Sequence, residues 1–345
     1  MKICEYNLIK SKLISFWNEL EDHFWKGIKE LESKRDNVKY QHLFVLSDNP
    51  LNPNKLSENS KLKIKNRFGR FLINEYNKLS KMEISKIVEE NWLFYRLVFT
   101  RYNQQINYTD ELWERVQPFL MNQLFYFDVE KILAKSENQI FMKVHSSKSE
   151  KFRYYKNNKK KEEKWDKGFY TMARIIKEWK SRGSIISSNI SLDYNNNQNY
   201  FEYYKKFANA EYKINKCLDR KKLLYKCRRG EIFSHEDNLK VTGLGEALFA
   251  DFFKEVGYIQ FIKPDIRIKE AISENGILAK NNLLNDLIKE LERNYNFILP
   301  KTKEWKAFII IDYLTYKLLQ LYYEKKFQIF PSHYAIDKLI WFFNQ

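Results

Sequence analysis

The chain has 345 residues, of which 44% are hydrophobic and 17% aromatic, and this composition excludes a disordered protein. Its wholly apolar stretches, such as 307–311 and 339–343, are far too short to span a bilayer, and no secretory signal pattern is visible. We therefore expect a cytoplasmic protein without membrane segments.

The 61 lysine and arginine residues exceed the 44 aspartate and glutamate residues, which gives a formal net charge of +17. This excess favours a nucleic-acid partner, because each basic side chain placed on a phosphate releases condensed counterions. A lysine- and asparagine-rich composition is also what an AT-rich genome produces without a functional reason. Local motifs must therefore decide between the two explanations.

Cysteine and histidine residues give no pattern of metal ligands. The three cysteines, Cys4, Cys217 and Cys227, are scattered and odd in number, and they indicate a reducing compartment. A four-cysteine zinc or iron–sulfur site is excluded by their number. The five histidines are dispersed without metal-ligand spacing, so we predict no metal site.

Apolar residues at helical spacing predict a mostly α fold. In chain order we predict helices around 13–24 and 92–98, a loop at 49–54, a charged and solvated linker at 148–164, an amphipathic helix at 165–182, a polar loop from Asp193 to Tyr204, a long helix at 303–327 and a last helix at 336–343. We divide the chain into an N-terminal helical region, residues 1–160, and a second domain, residues 165–345. The sequence does not define the role of the first region.

Glycine is scarce, and three of the nine glycines fall between positions 243 and 257. After Gly245, apolar residues repeat on one face of a helix: Leu248, Phe249, Phe252, Phe253 and Val256. Gly243-Leu244-Gly245 is therefore predicted to form a tight turn at the N-terminus of that helix. Two glycines allow a ligand to approach the backbone, and the free N–H groups of a helix start favour an anion such as a DNA phosphate.

Asp265 follows Pro264 and precedes another helical pattern, so we predict that it caps the next helix. Capping alone is the simplest role for an isolated aspartate. Its position 20 residues after Gly245 supports a second interpretation.

A glycine–hydrophobic–glycine hairpin, an apolar helix and an aspartate at this spacing resemble the helix-hairpin-helix DNA glycosylase superfamily. That family's pattern is leucine-proline-glycine-valine-glycine, a helix, and then valine-aspartate-x-histidine. Residues 241–245 match the hairpin and residues 264–267 match the aspartate segment. The helices of residues 165–345 fit the family only in size and class.

Departures from the family's sequence pattern restrict the type of glycosylase that the resemblance implies. Thr242 stands in place of the common proline, and Arg267 in place of the usual histidine. Bifunctional members carry a nucleophilic lysine two residues after the second glycine, where this chain has Ala247, and the family's iron–sulfur cysteines are absent. The resemblance therefore implies a monofunctional glycosylase without a cluster.

The resemblance also assigns roles to residues. In such enzymes the base leaves the stack, and a carboxylate stabilises the positive charge that develops on the deoxyribose. Asp265 takes that role and can also orient or deprotonate the attacking water. The backbone of double-stranded DNA is held by the hairpin, often through a monovalent cation, and here the hairpin is Thr242, Gly243, Leu244 and Gly245.

Three further basic residues near the motif are candidates for phosphate contacts: Lys240, Lys263 and Arg267. Each is equally well explained as a solvated charge. Beyond the cation at the hairpin we expect no cofactor, and we expect the protein to be a monomer.

Two other functions remain open. Pro264-Asp265 followed by Glu304-Trp305-Lys306 superficially matches a metal-dependent nuclease, whose two carboxylates must lie on adjacent strands. A strand or a helix at 303–312 discriminates this hypothesis. A non-catalytic hairpin module that only holds DNA would need Gly243 and Gly245 but not Asp265.

The sequence does not identify the excised base. The loop from Asp193 to Tyr204 offers amides and the aromatic faces of Tyr194, Tyr200, Phe201, Tyr203 and Tyr204. Such a pocket would suit a hypermodified base of phage DNA, which would make the protein a defence effector. Base repair of alkylated or oxidised purines is the alternative, with the loop explained by codon bias.

Overall fold

A computed structural model describes residues 3–33, 81–102, 110–181, 197–232, 238–256, 258, 260–324 and 327–344. Within these ranges the chain forms thirteen α-helices and no β-strand, which confirms the mostly α prediction. The helices are α1 Ile3–Ser33, α2 Lys81–Tyr102, α3 Asp110–Gln123, α4 Val129–Leu133, α5 Glu137–His145, α6 Lys159–Ser181, α7 Asn197–Asn209, α8 Ile214–Arg229, α9 Glu246–Glu255, α10 Ile266–Ala271, α11 Leu283–Tyr295, α12 Lys303–Glu324 and α13 His333–Phe343.

The chain divides into two compact units, each built from separated parts of the sequence, with boundaries inside α8 and α9. The first unit comprises Met1–Lys65, Leu192–Arg220 and Phe253–Gln345, and the second comprises Asn66–Ser191 and Lys221–Phe252. These units do not follow the division that we drew between residues 160 and 165. The first helix of the chain packs in the same unit as the last.

Helix α12 forms the centre of the first unit. It packs against α1, α7, α10, α11 and α13, and most of its residues from Ala307 to Leu321 are buried. A helix that is apolar on all sides must be surrounded by other elements, which explains the run Phe308–Ile311. The helix predicted at 303–327 is confirmed as α12, which ends at Glu324, and Phe327 is not helical. The helix predicted at 336–343 is confirmed within α13.

A buried polar network lies inside this unit around Asp312. Its carboxylate accepts hydrogen bonds from Tyr212 at 2.7 Å and from Arg220, and it lies 2.6 Å from Nε2 of His333. Burial alone would raise the pKa of Asp312, but Arg220 and His333 lower it to about 2. All four residues are buried, so we assign the network to the stability of the core.

Of the aromatic residues that we placed in a substrate loop, four lie on α7 instead: Tyr200, Phe201, Tyr203 and Tyr204. Asn197–Asn209 is helical, while residues 193–196 lie outside the described residues. Tyr204 is fully buried, and its hydroxyl lies 2.9 Å from Nδ1 of His333. The loop prediction is wrong for residues 197–204, because they are helical, with Tyr204 in a core cluster and Tyr203 packed against it. Tyr204 is therefore not available to a pocket for a hypermodified base.

Helix α6 organises the second unit and packs against α2, α4 and α5. Its buried face carries Trp165, Phe169, Met172 and Ile176, as the predicted amphipathic helix requires. The linker predicted at 148–164 is wrong, because the segment lies inside the second unit and residues 159–164 begin α6, although its lysines at 159–161 are exposed as predicted. Lys148 is buried and bridges Glu162 at 2.5 Å and Asp166 at 2.7 Å, and charges removed from water need such partners.

The remaining helix predictions in the N-terminal half are confirmed by α1 and α2, which contain the apolar repeats at 13–24 and 92–98. The predicted loop at 49–54 lies outside the described residues. Among the helices that the structure describes, none has the length and hydropathy needed to cross a membrane.

Candidate functional site

The predicted hairpin is a tight turn in the second unit. The Leu244 N–H donates to the Val241 carbonyl at 3.2 Å, which closes a four-residue turn. Gly243, at the third position, has φ of +89°, whereas Thr242 is not among the residues with positive φ. The hydrogen bond and the signs of the two φ angles indicate a type II turn, in which a side chain at the third position would be strained. The backbone conformation therefore favours glycine at position 243.

Gly245 has a different reason to be glycine. It precedes α9, and its carbonyl accepts hydrogen bonds from the Leu248 N–H at 3.1 Å and the Phe249 N–H at 3.0 Å. Its φ is not in the left-handed region, and a Cβ built on it would meet no atom within 4 Å. The fold alone therefore does not require a glycine at this position, which leaves room for a ligand beside the helix start.

The start of α9 carries N–H groups that attract an anion and a carboxylate that repels one. Main-chain N–H groups in a first helical turn have no intrahelical acceptors, and the helix dipole adds partial positive charge. Glu246 brings a carboxylate to the same turn, and Arg228 pairs with it at 3.1 Å. Lys240 lies just before the turn with an exposed side chain, as a phosphate contact requires. Val241 and Leu244 are buried and anchor the turn.

Asp265 lies in the first unit, where it caps α10 as predicted. Its Oδ1 accepts hydrogen bonds from the Arg267 N–H at 3.0 Å and the Ile268 N–H at 3.3 Å. Its Oδ2 lies 3.7 Å from the Lys263 ammonium, and 20% of its side chain is exposed. One carboxylate oxygen therefore performs the capping, while the other faces a cation.

The structure brings Lys263 to the Asp265 carboxylate, so Lys263 is not an isolated phosphate contact. Arg267 donates its main-chain N–H to Asp265, but its guanidinium instead pairs with Glu270 at 3.3 Å. Asp265, Lys263 and Arg267 form one local group in the first unit. Lys240 and residues 242–245 form a second group in the other unit.

A buried ion pair lies next to Asp265. Asp337 of α13 pairs with Lys254, and its Oδ1 accepts a hydrogen bond from the Lys263 N–H at 3.2 Å. Burial raises the pKa of Asp337, the Lys254 ammonium opposes that rise, and the Asp265 carboxylate adds to it. The Asp337–Lys254 pair thus fixes the segment that carries Lys263 and Asp265.

No protein-family model, curated protein or solved structure matches this chain. Within the described ranges, no group of three or more histidine, cysteine, aspartate or glutamate residues is placed to hold a metal ion. The function must therefore be argued from the chemistry of these residues.

Sequence reasoning missed two charged residues that support the candidate residues. Asp337 interrupts the apolar pattern of the last helix between Ile336 and Ile340. Arg101 follows Leu93 and Leu97 at intervals of four residues, so it falls on the buried stripe of α2. A charged residue on an otherwise apolar stripe was the available signal for both, because a buried charge needs a partner.

An aromatic turn with unusual backbone geometry lies in the second unit. Phe125, Tyr126 and Phe127 have φ of 49°, 60° and 62°, so the backbone of three consecutive residues lies in the left-handed region. This conformation costs about 1–2 kcal/mol per residue. Phe127 is buried against Phe94 and Tyr95, so packing holds the strained turn in place.

The same turn presents aromatic surface. Tyr126 is 36% exposed, and the Lys143 ammonium lies 4.9 Å from the centre of the Phe125 ring. Strained backbone of this kind clusters at functional sites, where it fixes the direction of a side chain. We therefore include the aromatic turn among the candidate functional residues, although no sequence pattern identified it.

Proposed function

We propose that the protein is a monofunctional DNA glycosylase, which flips a damaged or modified base from duplex DNA and hydrolyses its N-glycosidic bond. The observation that carries the proposal is the type II turn at 241–244, which leads directly into the start of α9. A backbone turn without a side chain at Gly245 suits close contact with a phosphate. The net charge of +17 supports the same partner.

Asp265 supports the catalytic part of the proposal. Breaking the N-glycosidic bond develops positive charge on the sugar, and a preorganised carboxylate lowers the barrier most when its position is fixed in advance. Two main-chain N–H groups and the Lys263 ammonium fix this carboxylate, while part of its side chain stays exposed. We infer that its second oxygen, which faces the Lys263 ammonium, stabilises the sugar cation or orients water once DNA is bound.

The aromatic turn at 125–127 supports base flipping. A base that leaves the stack creates a gap, and enzymes that flip bases offset a few kcal/mol of lost stacking with aromatic or apolar side chains. Tyr126 presents such a face on a turn that packing holds rigid. We infer that the turn enters or flanks the stack of the bound duplex.

The decisive experiment incubates the purified protein with a panel of duplexes that carry alkylated, oxidised or deaminated bases, followed by alkaline cleavage of abasic sites. Mass spectrometry of bases released from modified phage DNA extends the panel to hypermodified pyrimidines. Release of small lesions alone would indicate base repair, and release of hypermodified bases alone would indicate defence. No release from any substrate would contradict the proposal.

A non-catalytic DNA-binding protein is the second candidate function, because Asp265 has a sufficient structural role as the cap of α10. The nuclease hypothesis is not supported. Glu304 lies in the first turn of α12 and pairs with Lys269 at 2.9 Å, whereas that chemistry requires a carboxylate on a strand beside Asp265. Residues 303–312 are helical.

The reaction product provides a test of the monofunctional assignment. Ala247 lies in the first turn of α9, where it provides no amine, so the product is expected to be an intact abasic site rather than a nicked strand. Borohydride treatment during turnover should therefore fail to cross-link the protein to its substrate. Efficient cross-linking would show that another amine attacks the sugar, and Lys240→Ala and Lys263→Ala would identify it.

Replacement of Tyr126 by asparagine is expected to separate stability from activity. Asparagine tolerates the left-handed region, so the free energy of unfolding should rise by about 1 kcal/mol or less. The aromatic face is lost, so single-turnover base release should fall about tenfold. Tyr126→Phe retains the ring and should retain the activity. Full activity of Tyr126→Asn would exclude the aromatic turn from the contact with DNA.

A further inference from the structure

We propose that Arg101 is a positioning residue, which holds the central peptide of the turn at 241–244 from the protein interior so that the Gly243 N–H faces the DNA phosphate. The identity of the anion rests on the proposed function. The link between Arg101 and the turn rests on the structure of the second unit alone.

The contact is direct. The Arg101 Nε–H donates to the Thr242 carbonyl at 2.9 Å, and the guanidinium carbon lies 3.8 Å from the centre of the Trp165 ring. Arg101 is 0% exposed. A Cβ on Gly168 of α6 would lie only 2.6 Å from Nη2 of Arg101, so glycine at that position makes room for the guanidinium. Trp165 and Gly168 therefore shape a site for this one side chain.

The guanidinium keeps its positive charge in this site. Burial lowers the pKa of Arg101 to about 10, and the carboxylates of Asp166 and Glu162 oppose that fall. A group with this pKa is protonated at neutral pH. A hydrogen bond from a charged donor is roughly twice as strong as one between neutral groups, so the Thr242 carbonyl is held firmly.

The geometry of the peptide unit explains how the hydrogen bond from Arg101 orients the Gly243 N–H. The peptide unit between Thr242 and Gly243 is planar and trans, so its C=O and its N–H point in opposite directions. Type I and type II turns differ by rotation of this central unit. A guanidinium that binds the carbonyl on the inner side therefore selects the type II turn and directs the Gly243 N–H outward.

The hydrogen bond from Arg101 to the Thr242 carbonyl also disfavours the monovalent cation that the family resemblance implied at the hairpin. The Thr242 carbonyl already accepts a hydrogen bond from a positive group at 2.9 Å, and a second cation at the same oxygen would be repelled. DNA binding should therefore not depend on the exchange of K⁺ for Li⁺ at constant ionic strength.

The link is tested first in the full-length protein without DNA. Selective ¹⁵N labelling of glycine gives at most nine amide signals, and Gly243→Ala assigns the signal of interest. Arg101→Met and Gly168→Ala should both move or broaden the Gly243 signal. Gly168→Ala tests the same link while Arg101 is still present. Its Cβ displaces the guanidinium, and alanine favours the helix, so the protein is expected to fold. Arg96→Met is the matched control, since Arg96 is also a buried arginine of α2, beside Phe99.

DNA binding is tested next by fluorescence anisotropy with an undamaged duplex. Arg101→Met should weaken binding about tenfold, in line with the loss of one charge-assisted hydrogen bond, and Arg96→Met should leave it within about twofold. The slope of log K against log salt should not change in Arg101→Met, because Arg101 touches no phosphate. The effects of Arg101→Met and Gly243→Ala should be less than additive, whereas those of Arg101→Met and Lys240→Ala should add.

Each outcome decides one of the two proposals. An unchanged Gly243 signal in both Arg101→Met and Gly168→Ala would overturn the positioning role, and so would equal losses of affinity in Arg96→Met and Arg101→Met. A wild-type protein that binds no duplex would contradict the proposed function and the assignment of phosphate as the anion. The amide signals would still decide the link between Arg101 and the turn.

Discussion

Replacement of Asp265 by asparagine is expected to slow base release about a hundred- to a thousandfold, the range observed when a preorganised electrostatic group is removed from an active site. The structure explains why the fold should survive. The amide oxygen of asparagine can accept the same two hydrogen bonds from the Arg267 and Ile268 N–H groups, and asparagine is as good a helix cap as aspartate. The substitution removes the negative charge and puts an NH2 group in place of the oxygen that faces the Lys263 ammonium.

Asp128 provides a matched control for this variant. It caps α4 with a hydrogen bond from the Lys131 N–H at 3.0 Å, and its carboxylate is also paired with a lysine. Asp128→Asn should therefore match Asp265→Asn in its effect on unfolding but retain base release. Single-turnover kinetics with saturating enzyme isolate the chemical step, and duplex affinity should be nearly unchanged in both variants. Near-wild-type release by Asp265→Asn would favour the non-catalytic DNA-binding function.

The local features of the candidate residues could be predicted from the sequence because they depend on neighbouring residues. A glycine at the third position of a turn, apolar residues on one helix face and an aspartate after a proline each act within a few residues. The turn at Gly243, the start of α9 and the cap at Asp265 follow from these local rules.

The supporting contacts could not be predicted, because they join residues that are far apart in the sequence. Arg101 meets Thr242 across 141 positions, and Lys263 meets Asp337 across 74. Helical periodicity shows that such a residue is buried but not which partner satisfies it. The linker prediction for residues 148–164 was wrong for the same reason, since Lys148 becomes a core residue only through its carboxylate partners on α6.

The two glycines of the turn are expected to differ in how they tolerate valine. Gly243→Val places a β-branched residue at φ of +89°, so it should lower the free energy of unfolding by at least about 1–2 kcal/mol and weaken DNA binding as well. Gly245→Val meets open space and needs no unusual φ, so any loss of stability should be confined to its weaker capping of α9. Only Gly245→Val therefore tests the contact with DNA without disturbing the turn.

We expect Gly245→Val to weaken the binding of an undamaged duplex at least about tenfold at fixed salt, because its side chain fills the space through which a phosphate approaches the start of α9. Gly245→Ser adds a smaller side chain and keeps a good helix cap, so it should give an intermediate loss with wild-type stability. Fluorescence anisotropy measures the affinity, and urea denaturation measures the stability of each variant. Unchanged affinity in a stably folded Gly245→Val protein would show that the turn does not hold the DNA backbone, and the phosphate contacts would then have to be sought elsewhere, first at the aromatic turn and Lys143.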